Sequence, residues 1–309
     1  MNPELSIIVP IYNEAPIISE LYNRVTQSVS GITKSYEILF VNDGSKDSSI
    51  QELKKIATTD SHVLYINFSR NFGHQIAVTA GLHYAKGNAI VIIDGDLQDP
   101  PELIPELYAK YNEGYKIVGA KRVSRKGETF FKKITAKLYY RILKRITHVD
   151  IPVDTGDYRI IDKKVADAIR SMDEPDKYIR GQVAWTGFST TFVYFERDER
   201  KFGKTGYSLK KMTKFAIDGI TSFSSYPLKL ASIFGFIVSG IAFLMVIYVL
   251  ISKYILHTSV QGWPSLMLTI LFLGGVQLIC LGIIGEYLWR IMNAVRKRPL
   301  YVVDDTNIA

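Results

Sequence analysis

Asp94 and Asp96 stand two residues apart in IVIIDGDLQDPPE, directly after the apolar run 90–93. Carboxylates alternating at the end of a buried strand can present hard oxygens to one divalent ion, or to an ion and a sugar. Mg²⁺ or Mn²⁺ needs few protein ligands when a diphosphate supplies the rest. Gln98 can add an amide carbonyl oxygen. Asp and Gly also build ordinary turns, so a D-x-D alone leaves a turn as the competing reading. Other segments that read as strands also end in polar groups, at Asn13-Glu14, Asp43-Gly44 and Lys121-Arg122. Three acidic strand ends along one edge are hard to explain as turns alone.

The elements that must position these groups can be read from periodicity. Continuous apolar runs predict strands at 5–12, 36–43, 89–96 and 115–122. Between them, Ile17, Leu21 and Val25 have helical spacing, as do Ile50, Leu53 and Ile56, then Ile76, Ala80 and Leu82, then Leu103 and Leu107. Strands alternating with helices predict an α/β fold with a mostly parallel sheet covered on both faces. Ligands of such sheets bind beyond the C-terminal strand ends, where all the polar groups above emerge.

The chain has 309 residues, 38 Lys and Arg against 30 Asp and Glu, a net charge of +8 and a pI near 9.2. That balance favours anionic partners. A nucleic-acid partner is excluded because the basic residues flank apolar segments. The single cysteine, Cys280, precludes an intrachain disulfide and reads as a small buried residue. MNPELSIIVP lacks a charged n-region, so no signal peptide is expected.

Segment 126–146 gathers Phe131, Ile134, Leu138, Tyr139, Ile142 and Ile146 on one helical face and Lys133, Lys137, Arg141 and Lys144 opposite. Segment 208–223 repeats the pattern with Leu209, Met212, Phe215, Ala216, Ile220 and Phe223 against Lys210, Lys211, Lys214 and Asp218. Basic amphipathic helices of this kind suit a membrane surface, and helices packed on a soluble domain are the competing reading. Two uncharged runs, 230–252 and 265–285, are each long enough to cross a bilayer. The loop between them holds only Lys253 and His257, while lysines and arginines crowd the outer flanks, with Trp263 and Trp289 near the span ends. The positive-inside rule then places both flanks in the cytoplasm. Glu286 is expected to pair with Arg290, four residues on.

SIIVPIYNEAPII, ILFVNDGSKDSS, SRNFGHQIAVTAGL and VIIDGDLQDPPELIP together resemble glycosyltransferase family 2. DTGDYRIID, ERKFGKTGYSL and LGIIGEYLWRIMNAVRKRPLYVV narrow the resemblance to the polyprenyl-phosphate glycosyltransferases, relatives of dolichyl-phosphate mannose synthase. The two-span C-terminus resembles the bacterial undecaprenyl-phosphate glucosyltransferases. The resemblance covers nearly the whole chain. It implies a Rossmann-like GT-A domain over 1–207, including helix 126–146, and an interface helix over 208–228. Two transmembrane helices follow within 229–290, at about 230–252 and 265–288, and 291–309 form a cytoplasmic tail.

It also implies roles. Pro10, Tyr12, Glu14 and Asp43 would hold the base and ribose of the nucleotide, with Asp94 and Lys204 also on the nucleotide sugar. Asp94, Asp96 and Gln98 would bind Mg²⁺ or Mn²⁺ on the diphosphate. Asp157 would line the acceptor side of the centre, as a base or as an orienting group, with a structural pair to Arg159 as the competing reading. Arg200 and Lys204 would close over the phosphates, and Asp157, Asp96 and Arg200 are the catalytic candidates. Lys121, Arg122 and Arg125 would meet the lipid phosphate.

The implied reaction is an inverting transfer of a hexose, glucose from UDP-glucose, to polyprenyl phosphate at the cytoplasmic face of the inner membrane. A flippase and a downstream glycosyltransferase are the implied partners, with a homo-oligomer. GDP-mannose as donor, or a non-catalytic scaffold binding nucleotide sugar, are the alternatives. Three further readings concern local features. His74 reads as a polar loop histidine in preference to a phosphate contact, and Ser45 and Ser48 read as turn and N-cap residues. Thr205 and Gly206 stand where relatives often have Ser-Lys, which removes one basic residue from that loop.

Overall fold

LSIIVPI forms strand β1 (Leu5–Ile11), every residue of which is buried. A strand covered on both faces needs apolar side chains at every position and not only at alternate ones. Strands β2 (Tyr36–Asn42), β3 (Val63–Phe68) and β4 (Ala89–Ile92) flank it. Helices α1 (Ile18–Ser30), α2 (Ser49–Thr59) and α3 (His74–Tyr84) connect these strands. Helix α4 (Ile104–Asn112) leads to β5 (Ile117–Arg122), and β6 (Thr155–Asp162) leads to α5 (Lys163–Arg170). Helix α6 (Ile179–Trp185) and β7 (Thr190–Phe195) follow, then α7 (Trp263–Arg296) and β8 (Val303–Thr306). This computed structural model describes residues 3–123, 155–196 and 262–308, with scattered positions between 228 and 255. Arg125, Arg200, Lys204 and the amphipathic segments 126–146 and 208–223 lie outside the described residues, as does most of the expected span 230–252.

The eight strands form one sheet in the order β7-β5-β6-β4-β1-β2-β3-β8. The four central strands β4, β1, β2 and β3 are parallel, and β5 pairs parallel with β7. Two strands run the other way: β6, antiparallel to β4 and β5, and β8, antiparallel to β3. The sheet is therefore mixed rather than wholly parallel. The reversal of β6 is what assembles the site, because it brings the beginning of that strand to the edge where the parallel strands end.

Each face of the sheet carries a core. One packs α1, α2 and α4 through residues such as Leu21, Leu53 and Leu107, and the other packs α3, α5 and α6 through Val78, Val165 and Ile179. Each such side chain, fully removed from water, contributes roughly 1.5–3 kcal/mol.

The chain divides into two compact units, 1–213 with 298–309, and 214–297. Strand β8 thus belongs to the sheet and is not a trailing tail. Tyr301 stacks on Phe68 with ring centroids 5.0 Å apart, Tyr65 N donates to Asn307 Oδ1 at 2.7 Å, and Lys54 pairs with Asp305 at 2.6 Å. In the second unit, α7 has 34 residues, and its stretch Phe272–Arg296 is the one helix among the described residues long and apolar enough to cross a membrane. Glu286 pairs with Arg290 at 3.0 Å, as its spacing predicts.

Candidate active site

The strand β4 ends at Ile92, and Ile93 N still donates to Ile8 O before the chain turns at Asp94. The turn is tight. A Cβ at Gly95 would come within 2.7 Å of Pro10 O, so this position needs glycine. Leu97, buried, takes φ 56°, a left-handed conformation costly for a branched side chain. Asp96 Oδ1 accepts from Gln98 N at 3.2 Å, which fixes one carboxylate against the turn.

Arg159 on β6 lies opposite Ile92 on β4, so two residues further along the two antiparallel strands come Asp157 and Asp94. Third to this meeting comes His74, the first residue of α3. Its Nε2 lies 3.1 Å from Asp157 Oδ2 and 3.6 Å from Asp94 Oδ1. Gln75 Nε2 donates to the same Asp157 oxygen at 3.1 Å, while its Oε1 accepts from Ile179 N at 2.9 Å. Arg180, next on α6, donates through Nε to Asp157 Oδ1 at 2.7 Å. Arg159 reaches Asp157 only at 3.8 Å and directs its donors to backbone, Nε to Asp157 O and Nη2 to Gly156 O. The competing reading, a pair between Asp157 and Arg159, is therefore secondary to one with Arg180.

These contacts set the charges. Burial works against ionised Asp157, but the Arg180 and His74 charges and hydrogen bonds outweigh it and hold the carboxyl well below the usual range. For His74, burial opposes the imidazolium, and the Asp157 hydrogen bond with the Asp94 and Asp157 charges overcomes this, holding the ring up at about 9. Burial pushes the Asp94 carboxyl up against the lowering effect of His74. Asp94 Oδ1 is buried and accepts no hydrogen bond among the described residues. His74 at 3.6 Å offsets part of the cost of burying that oxygen, and a cation at bonding distance would offset more. Hard oxygens on Asp94 and Asp96 beside it fit a divalent metal, and ligating atoms of His74, Asp94 and Asp157 lie within 4.8 Å of one another.

The other sequence-derived residues fall around this centre. Asp43, at the end of β2, accepts from Phe72 N at 2.7 Å, and from Gly73 N and Asn71 Nδ2 at 2.9 Å. It thereby pins the loop that delivers His74. Gly44, with φ +62°, lies against Arg70, where a Cβ would come 2.3 Å from the carbonyl carbon. Pro10 is buried in β1 and Tyr12 is half-exposed just past it. Glu14 N donates to Ser49 Oγ and Ala15 N to Asp47 Oδ2, tying the β1 and β2 loops together. Ser48 stands at the N-cap of α2 without a capping bond, and Asp47 accepts from Ser49 N instead. Arg122 lies 3.5 Å from buried Asp99, and Lys121 lies against the rings of Phe192 and Tyr194.

Residues 6–170 match the family described as Glycosyl transferase family 2. The chain belongs to glycosyltransferase family 2. It is 52% identical over 300 residues to the uncharacterized glycosyltransferase YkcC of Bacillus subtilis, covering 97% of this chain and 93% of that protein. It is 37% identical to the bactoprenol glucosyl transferase of Shigella phage SfII, covering 97% of both. The prophage bactoprenol glucosyl transferase homolog of Escherichia coli is also 37% identical, over 97% and 98%. Among solved structures, glucosyl-3-phosphoglycerate synthase from Mycobacterium tuberculosis superposes with a TM-score of 0.50 at 17% identity, covering 72% of this chain and 80% of that one. That likeness concerns the fold. The chain is a glycosyltransferase with a GT-A sheet.

His74, Gln75 and Arg180 are the residues that sequence reasoning passed over or discounted. A histidine after Asn-Phe-Gly reads as loop, and Arg180 lies outside any recognisable spacing. The one usable signal was negative: Asp157 in DTGDYRIID sits in a segment too apolar to leave a charge without a distant partner.

Proposed function

We propose that this glycosyltransferase moves glucose from UDP-glucose to a polyprenyl phosphate at the cytoplasmic face of a membrane, inverting the sugar linkage. The observation that carries the reading is similarity over 97% of the chain, its apolar C-terminal third included, to proteins named as bactoprenol glucosyl transferases. The site chemistry agrees with it. Pro10, Tyr12, Glu14 and Asp43 would line the nucleotide side, and Asp94, Asp96 and Gln98 would hold a divalent ion. When bound, that ion supplies charge stabilisation to the departing nucleotide.

The acceptor phosphate has a second pKa near 6 and is largely a dianion at neutral pH. Its oxygen bonds to the anomeric carbon from the face opposite the nucleotide. The bond from that carbon to the diphosphate breaks, and UDP leaves with the electron pair. No proton needs removing. Asp157, with both oxygens engaged by cations and amide donors, orients these groups beside the reacting carbon.

A panel of labelled nucleotide sugars, offered with polyprenyl phosphate and Mg²⁺ or Mn²⁺, tests the reading. UDP-glucose should give a chloroform-soluble, acid-labile product. Transfer from GDP-mannose alone would refute the donor assignment, and no transfer from any donor would refute the acceptor.

The sheet also bears on topology. Strands β7 and β8 share it, so residues on either side of 214–297 lie on one side of any bilayer, and the intervening chain crosses an even number of times. Helix α7 offers one crossing, which supports a second in the uncharged run 230–252. With Cys280 replaced by alanine, Ser259→Cys should react with an impermeant thiol reagent in intact cells and Asn307→Cys should not. The reverse pattern would invert the orientation.

A further inference from the structure

Asp304 stands where the pairing of β8 with β3 slips. Asn67 faces Asp305 and Phe68 faces Val303, so Asp304 has no residue opposite it. An extra residue of this kind re-aims its side chain. Asp304 and Asp305 accordingly both reach the face of β3 that carries Tyr65 and Asn67. Tyr65 Oη donates to Asp305 Oδ2 at 3.0 Å, and Asn67 Nδ2 donates to Asp304 Oδ2 at 3.2 Å.

From Asn67 the hydrogen bonds continue across the strand ends. Asn42 Nδ2, on β2, donates to Asn67 Oδ1 at 2.7 Å, and Ser45 Oγ donates to Asn42 Oδ1. Asn13 N, just past β1, donates to Ser45 Oγ at 2.9 Å, and Asn13 Oδ1 accepts from Lys46 N at 2.8 Å. Asn13 takes φ 55°, a left-handed setting that persists only where the surroundings fix it. At about 4.8 Å per strand, three strand spacings separate the two ends of this chain of bonds.

The end at Asp304 dictates the direction of every bond. An ionised carboxylate only accepts. Asn67 must therefore turn its amide nitrogen toward Asp304 and its oxygen toward Asn42. Asn42 then presents nitrogen to Asn67 and oxygen to Ser45. The Ser45 hydroxyl gives its one proton to Asn42, and its lone pairs remain for Asn13 N. Without an acceptor at 304 both amides can turn over together, and Asn42 Nδ2 then competes with Asn13 N for Ser45 Oγ. Asn42 is buried, so water is not at hand to repair the loss.

We propose that Asp304 is a positioning residue for the nucleotide. Its carboxylate sets the direction of the chain, and thereby the setting of Asn13, between Tyr12 and Glu14, and of Asn42, next to Asp43. The proposal rests on the nucleotide side advanced above for Tyr12, Glu14 and Asp43. It makes the strand that follows α7 in sequence a part of donor binding.

The test is calorimetric titration of full-length protein in detergent with UDP and Mn²⁺, with hydrogen exchange at Asn13 N as the second readout. Asp304 is exposed, and β8 keeps the Tyr301 stack, the Lys54–Asp305 pair and the Asn307 bond when it changes. Variants at 304 should therefore fold with unaltered melting temperatures. Asp304→Ala should weaken UDP binding about two- to tenfold, the range of one net hydrogen bond, and speed exchange at Asn13 N. Asp304→Asn keeps an acceptor and should match wild type in both. Asp304→Lys only donates, drives the amides over, and should bind UDP more weakly than the alanine variant. Ser45→Ala breaks the chain at its other end, and adding Asp304→Ala to it should cost nothing more, as expected of residues that act through one another.

An asparagine variant as weak as alanine, a lysine variant as tight as wild type, or additive losses in the double variant would overturn the positioning role. Exchange at Asn13 N in the expected order with UDP affinity unchanged throughout would refute the nucleotide side as drawn, and leave the chain of bonds standing. Binding of GDP in place of UDP, with the same order among the variants, would sink the UDP donor and support the role of Asp304.

Discussion

Asp96→Ala should lower sugar transfer by about 10³-fold or more while the protein remains folded in detergent, since lost stabilisation of developing charge costs rate on this scale. The argument starts from Asp94 Oδ1, buried and without a hydrogen bond among the described residues, two residues before Asp96. Asp96 rests on Gln98 N as a turn carboxylate would, but a turn that served only to reverse the chain would place Asp94 on a backbone N–H group or in water as well. This one holds a leucine at φ 56° and requires glycine at 95, a backbone strained toward one geometry. Asp96 is the better residue to change, because removing Asp94 also removes a partner of His74 and confounds charge with structure. Excess chelator should reproduce the loss in wild type, and Mn²⁺ should restore it. Full turnover by the variant, or by wild type in chelator, would return the D-x-D to the role of a turn.

Asp157→Asn should cost about 10²–10³-fold in kcat, with a smaller change in KM for the nucleotide sugar, because charges preorganised at the reacting centre act there on the transition state. The amide keeps the shape and one acceptor for Arg180 but removes the carboxylate that lies within 4 Å of Arg180, Arg159 and His74 alike. Alanine would be a poorer choice, since buried cations stripped of their partner cost about 3–5 kcal/mol in stability.

The pH profile separates an orienting carboxylate from a base. Asp157 is held well below the usual carboxylate range, so it stays ionised throughout the working range. If it only orients, wild-type activity should fall as pH drops through about 6, where the acceptor phosphate gains its second proton. Asp157→Asn should show the same acid limb at lower amplitude. A wild-type rate flat from about pH 5 to 8 would mean that Asp157 strips the proton from the monoanion, and the orienting role would be wrong.

Strands β1, β2, β4 and β5 were legible because burial on both faces demands unbroken apolar runs, and LSIIVPI or YEILFVN leaves few other readings. Strand β6 was not, because TGDYRIID alternates apolar residues with charges that pair inside the protein. A pattern that describes a half-exposed strand here belongs to one buried throughout. Strand β8, VDDT, reads as polar tail, and only Tyr301 and Asn307 on either side of it reveal what holds it. The D-x-D was legible for the same reason as β4: the strand that carries it is. The clamp on Asp157 was not, because α3, α6 and β6 meet through tertiary packing, and no spacing along the chain records that Gln75 spans from Asp157 to the start of α6.

Strand β8 is made after every other strand of the sheet. While β1 to β7 leave the ribosome, the outer edge of β3 has no partner, and its unpaired N–H and C=O groups are open to any passing strand. Every residue up to Arg296 must be synthesised before residues 303–306 can close that edge. Completion of the catalytic sheet therefore waits on synthesis of α7. A nascent chain stalled within α7 would carry an unsealed edge that quality control can recognise, while a chain extended through β8 seals its own catalytic domain.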